Sequence, residues 1–143
     1  MNALTANPMA TLKTYIVEDN KVIRDNLISA LEELVPVKVV GTADDESTAI
    51  QWLAVKGNDA DLVIIDIFLR EGSGLGVLRA AQDMPPRQSL VVLSNYATPD
   101  MRRKCMELGA SRVFDKSNEI DDLIYYCGRL AEGDTGNAAL GSA

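Results

Sequence analysis

Along the chain, short apolar runs alternate with stretches in which apolar residues recur every three or four positions. The first pattern predicts strands and the second predicts helices with one buried face. Leu12–Val17 is a strand by this criterion. Lys21–Leu34 follows as a helix with Ile23, Leu27, Ala30, Leu31 and Leu34 on one face, broken by Pro36. Val37–Gly41 is a second strand, and Asp44 or Asp45 is placed to cap a helix that turns Ile50, Trp52 and Leu53 inward. Leu62–Ile67 is the strongest strand, apolar throughout except for Asp66. A strand without alternation is buried on both faces, as in a parallel sheet between helices. Gly72, Ser73, Gly74 and Gly76 mark a flexible turn into a helix over Leu75–Ala81, and Pro85 and Pro86 close that unit. Leu90–Leu93 is the fourth strand. Pro99 opens a helix where its missing N–H costs nothing, and Gly109 fits the stop after Leu108. Arg112–Phe114 is a short fifth strand, and Ser117 or Asn118 caps a last helix with Ile120, Leu123, Ile124, Cys127 and Leu130 on one face.

Five strands alternating with five helices predict an α/β fold with a doubly wound, five-stranded parallel sheet. Right-handed crossovers make 2-1-3-4-5 the expected strand order, as in flavodoxin-like folds. Residues 12–131 form the one domain, residues 1–11 are a flexible N-terminal extension, and residues 132–143 (EGDTGNAALGSA) have the composition of a disordered tail or a linker.

Composition narrows the chemistry. The 143 residues are 47% hydrophobic, enough to fill one core. The net charge of -7 argues against direct nucleic-acid binding by this domain, which needs a basic surface. The chain has no histidine, which removes His-based acid/base catalysis and most zinc sites. Cys105 and Cys127 belong to no ligand cluster and read as core fillers in a reducing compartment. No leader-like apolar segment and no run near the ~20 residues of a membrane helix is visible, so a soluble cytoplasmic protein is expected.

In an open parallel sheet, ligands bind beyond the carboxyl ends of the strands, near the switch in strand order. Strand one ends in Glu18 and Asp19, strand three in Asp66, strand four in Ser94, and strand five just before Lys116. Three acids, a hydroxyl and a cation thus converge on one edge, although about 100 residues separate the first from the last. Clustered carboxylates repel, and a hard divalent cation such as Mg²⁺ relieves them through oxygen ligands. Asp66 keeps an oxygen able to attack phosphorus. Mg²⁺ and Lys116 would neutralise the charge that builds on phosphoryl oxygens, and Ser94 would donate to the attached group.

VEDN at 17–20, IIDIFL at 64–69, LSN at 93–95 and FDKS at 114–117 resemble the four signatures of the receiver domains of bacterial two-component response regulators. The resemblance covers about residues 12–131. It implies that Asp66 accepts a phosphoryl group from a histidine kinase or phosphotransfer protein. It also implies that Glu18, Asp19, Asp66 and the backbone carbonyl of Phe68 hold Mg²⁺, and that Ser94 and Lys116 contact the phosphoryl group. The signal would leave through the face of helix four, strand five and helix five, which could also support a homodimer. Such a domain catalyses at most its own phosphorylation and dephosphorylation.

The chain departs from that pattern at several positions. Val113 stands where an aromatic switch residue is usual, and Phe114, one step later, faces the other side of its strand. Asn95 replaces a very small residue, Ser117 follows Lys116 where a proline is common, and Phe68 and Tyr96 are placed to flank the entrance and hinder attacking water.

Each residue also has a plainer reading. Alone, Glu18 and Asp19 are a helix-capping acid pair, Ser94 a turn residue, Lys116 a surface charge, and Asp66 the buried partner of Lys116. The basic run Arg102, Arg103 and Lys104 is by default a solvated face, with partner docking as the alternative. Of Tyr125 and Tyr126, one must be exposed.

Three rival functions remain. A haloacid dehalogenase-type phosphatase would need a second aspartate where Phe68 stands, and a flavodoxin-like flavin binder would need a hydroxyl-rich loop where Glu18 and Asp19 stand. The third is the receiver fragment of a longer DNA-binding transcriptional regulator.

Overall fold

The computed structural model describes residues 11–84, 88–95 and 97–133. Five parallel strands form one sheet in the order β2-β1-β3-β4-β5: β1 Leu12–Val17, β2 Val37–Ala43, β3 Leu62–Ile65, β4 Ser89–Ser94 and β5 Arg112–Asp115. The helices between and after them are α1 Lys21–Leu34, α2 Glu46–Ala54, α3 Gly74–Gln82, α4 Pro99–Glu107 and α5 Ile120–Ala131. Of the predicted extensions at 1–11 and 132–143, residues 1–10 and 134–143 lie outside the described residues, as do Pro85, Pro86 and Tyr96.

The unbroken apolar strands are buried on both faces, as a parallel sheet between helices demands. Alternate residues of β3 point opposite ways. Val63 and Ile65 join Tyr15, Val17, Val92 and Val113 beneath α2, α3 and α4. Leu62 and Ile64 join Ile16, Leu93 and Phe114 beneath α1 and α5. Cys105 lies in the first layer and Cys127 in the second, both free and fully buried, as core fillers should be. Val113 and Phe114 fall on opposite sides, so no aromatic ring occupies the Val113 position.

Several predicted boundaries shift for local reasons. Asp66 and Ile67 follow β3 rather than belong to it, because the chain turns: the amide of Gly74 donates to the carbonyl of Ile67 at 2.9 Å. Asp45, not Asp44, caps α2, accepting from the Thr48 amide at 2.8 Å, and Ala49 rather than Ile50 is its fully buried position. Leu34 is 64% exposed, since the chain leaves the helix there in an extended turn at Val35. Neither Ser117 nor Asn118 caps α5. Ser117 instead donates through its amide and hydroxyl to the Asp115 carboxylate, and the helix starts after Glu119.

Candidate functional site

The strand registers assemble the site. Val17 of β1 pairs with Ile65 of β3, so the next residues, Glu18 and Asp66, leave the sheet side by side. Ser94 of β4 pairs with Asp115 of β5, and the amide of Lys116 donates to the Ser94 carbonyl at 3.0 Å. All of the predicted side chains therefore reach one edge, at the crevice where strand order reverses.

Lys116 is the hub. Its Nζ lies 2.7 Å from Glu18 Oε1 and 2.9 Å from Asp66 Oδ2, with all three side chains nearly buried. Glu18 Oε2 also accepts from the Asn20 amide at 3.1 Å, and Asp66 Oδ1 accepts from the Phe68 amide at 3.3 Å. Burial pushes the Glu18 carboxyl above its ordinary pKa, even against its hydrogen bonds from Lys116 and Asn20, and the neighbouring Asp66 pushes the same way. Burial works to lower the pKa of Lys116, but its hydrogen bonds to Glu18 and Asp66 and their charges prevail, so its ammonium is held above the ordinary value. The cap of α1 is Asn20, whose Oδ1 accepts from the Ile23 amide at 3.0 Å. Glu18 and Asp19 are thereby left to the site instead of serving as the helix cap.

Carboxylate oxygens of Glu18, Asp19 and Asp66 come within 4.8 Å of one another, the only such acidic group among the described residues. Three carboxylates against one ammonium leave two negative charges, matching a divalent cation that prefers oxygen ligands. Ser94 adds a second sign of fit. Its Oγ is fully buried and has no hydrogen-bond partner among the described residues. A buried hydroxyl without a partner is costly, and at an anion site it is a donor held ready.

The glycines of the predicted turn at 72, 74 and 76 are closely packed. A Cβ on Gly74 would overlap the Asp66 carbonyl, and Cβ atoms on Gly72 or Gly76 would overlap the Glu46 side chain. The Arg102 of the basic run is likewise no solvated charge. Its Nε donates to the Ala97 carbonyl at 3.0 Å, its Nη1 to the Val113 carbonyl at 2.9 Å and its Nη2 to Glu119 Oε1 at 3.0 Å. The same Glu119 oxygen accepts from the Asp115 amide at 2.7 Å. Sequence reasoning missed Glu46, and it missed the contacts of Arg102, since neither set of contacts has a local signature. Phe68 is 51% exposed beside Asp66, and of the tyrosine pair Tyr125 is exposed while Tyr126 is buried.

The family profile described as "Response regulator receiver domain" matches residues 14–127. The chain belongs to the response regulator receiver family. A probable transcriptional regulatory protein of Picosynechococcus is 31% identical over 134 residues, covering 90% of this chain and 53% of its own length. Response regulator UvrY of Escherichia coli K12 is 24% identical over 113 residues, covering 79% and 51%. The chain thus spans about half the length of these curated relatives. The non-phosphorylated receiver domain of RcsB from Escherichia coli superimposes with a TM-score of 0.75 at 22% identity, covering 88% of this chain and 97% of that one. The phosphorylated cyanobacterial phytochrome response regulator RcpA gives 0.68 at 27% identity, covering 86% and 93%. The receiver is therefore a phosphoacceptor module of two-component signalling, a class that is generally not enzymatic, typically binds Mg²⁺ at an acidic pocket and interacts with histidine kinases or phosphotransfer proteins. Among the described residues no helix is long and apolar enough to cross a membrane.

Proposed function

We propose that Asp66 is the phosphoacceptor of this receiver, and that residues 12–131 act as a cytoplasmic switch. The observation that carries this reading is the Lys116 ammonium shared between Asp66 and Glu18, next to a buried Ser94 hydroxyl that has no partner among the described residues. An Asp66 carboxylate oxygen attacks the phosphorus of a phosphohistidine on a partner protein. The new O–P bond forms as the N–P bond breaks, and the electron pair leaves with the imidazole nitrogen. Lys116 stays within reach to balance charge on the phosphoryl oxygens, and Ser94 Oγ gains the acceptor it lacks. Glu18, Asp19, Asp66 and the Phe68 carbonyl are the residues that would hold Mg²⁺. When bound, the cation offsets the surplus of carboxylate and the charge on the transferring group.

Phe68, exposed beside the acceptor, limits the approach of hydrolytic water. The signal leaves through the face of α4, β5 and α5, where the exposed Tyr125 offers a contact for a protein partner or a second copy. Beyond its own phosphorylation and dephosphorylation the domain turns over no substrate. The test is incubation with acetyl phosphate and Mg²⁺ followed by intact mass. One added phosphoryl group is expected in the wild type, and none in Asp66→Asn or without Mg²⁺. Addition to Asp66→Asn, or none to the wild type, rejects the assignment.

A second reading, in which this receiver regulates a DNA-binding domain of a longer protein, is favoured by the match to about half of a probable transcriptional regulatory protein. Phosphorylation-dependent operator binding by the longer gene product would establish it, and a gene encoding no further domain would remove it.

A further inference from the structure

Glu46 is the first residue of α2, and its side chain leaves that helix to enter the loop between β3 and α3. Glu46 Oε1 accepts from the Ser73 amide at 2.9 Å, and the Glu46 amide donates to the Glu71 carbonyl at 3.2 Å. The carboxylate lies in a slot that exists only because Gly72 and Gly76 lack side chains; a Cβ on either would overlap it. Ser73 in turn pairs with Phe68 in an isolated antiparallel bridge, and the next amide, Gly74, donates to the Ile67 carbonyl at 2.9 Å. The chain of contacts thus runs from Glu46 through Ser73 to the two residues that follow Asp66.

We propose that Glu46 is a positioning residue for the divalent-cation site: its seat between Gly72 and Gly76 fixes the loop that presents the Phe68 carbonyl. This inference rests on the cation-site reading above. A carbonyl on a loop is a good ligand only if the loop already stands in the binding conformation, since otherwise binding must order it. Glu46 supplies that order from a different helix, without itself belonging to the acidic group formed by Glu18, Asp19 and Asp66.

The geometry separates the seat from the charge. Glu46→Gln removes the charge but keeps an oxygen for the Ser73 amide. Glu46→Ala removes both. Gly76→Ala leaves Glu46 intact but evicts its carboxylate, and Ala is the better helix former at this position in α3. Calorimetric titration of the full chain with Mg²⁺ alone reads the effect. Glu46→Ala and Gly76→Ala are each expected to weaken Mg²⁺ about tenfold, the lower end for losing an outer partner of a metal ligand. Glu46→Gln should stay close to wild type, and the double variant Glu46→Ala, Gly76→Ala should be no weaker than either single one. Wild-type affinity in both Glu46→Ala and Gly76→Ala overturns the inference. So does equal weakening in Glu46→Gln, which would make the effect one of charge alone. Asp19→Asn is the control for the site itself: its loss of Mg²⁺ binding confirms the cation reading independently. A wild type that takes up no Mg²⁺ would reject that reading, and this inference with it.

Discussion

Replacing Lys116 by Met tests whether the site is a charge cluster in which a lysine and a metal offset the same carboxylates. The ammonium lies 2.7 Å and 2.9 Å from two carboxylates, with side-chain exposures of 9%, 4% and 8% for Lys116, Glu18 and Asp66. At an effective dielectric constant of about 20, each contact is worth roughly 6 kcal/mol of gross attraction, most of it cancelled by desolvation. Deleting the cation leaves that desolvation uncompensated, and losing one partner of a buried ion pair costs about 3–5 kcal/mol. Glu18 already has a raised pKa, chiefly from burial, so it relieves part of the strain by taking up a proton. The expected loss in the presence of a chelator is therefore about 3 kcal/mol, a large share of the stability of one domain. Mg²⁺ should then recover most of it, because a ligand at a hundred times its Kd contributes about 2.7 kcal/mol and the variant site, one positive charge poorer, binds the cation more tightly. Urea unfolding followed through Trp52, the single tryptophan, reports both numbers, since its half-buried ring stacks at 4.0 Å on the core residue Tyr15. A Lys116→Met variant as stable as wild type in chelator, or indifferent to Mg²⁺, would refute the reasoning.

Two further outcomes follow from groups away from the acids. Arg102→Met removes three hydrogen bonds, which join α4 to Ala97 just before it, to β5 and to the residue before α5. Because the side chain is 37% exposed and water can replace part of what is lost, the cost should be about 2 kcal/mol in urea unfolding, with hydrogen exchange accelerated at Asp115 and the first turn of α5. Cys105 and Cys127 should resist a thiol reagent at pH 8 in the native state and react fully in urea. Burial raises both thiols, Cys127 to about 12, leaving only about one thiolate in ten thousand there; rapid native labelling would show that the core opens.

The fold and the acidic edge were legible because their determinants are local. Apolar runs of the right length mark the strands, and in a parallel sheet every strand delivers its next residue to the same edge, so Glu18, Asp66, Ser94 and Lys116 meet without any long-range guess. What escaped prediction depends on where elements separated in sequence happen to lie in space. Ser117 looks like a helix cap by composition, yet the Asp115 carboxylate captures it first. The glycines at 72, 74 and 76 look like freedom, yet each makes room for a neighbour: Gly74 for the Asp66 carbonyl, and Gly72 and Gly76 for Glu46, which is invisible until α2 is docked against α3. Arg102 looks like one of three surface cations until β5 supplies the Val113 carbonyl and α5 supplies Glu119.

The same contact bears on how a signal crosses this receiver. Val113 fills the core layer beneath α4 without an aromatic ring that could change position, so side-chain rotation at residue 113 is a poor carrier. The backbone beside it is better connected. Ser94 lies three residues before Ala97, whose carbonyl Arg102 holds, and Lys116 lies three residues after Val113, whose carbonyl the same guanidinium holds. One planar, multiply bonded group on α4 thus holds Ala97, Val113 of β5 and Glu119 together. A guanidinium with three fixed acceptors cannot follow one of them without loosening another, so Ala97, β5 and the residue before α5 are held in register by one side chain.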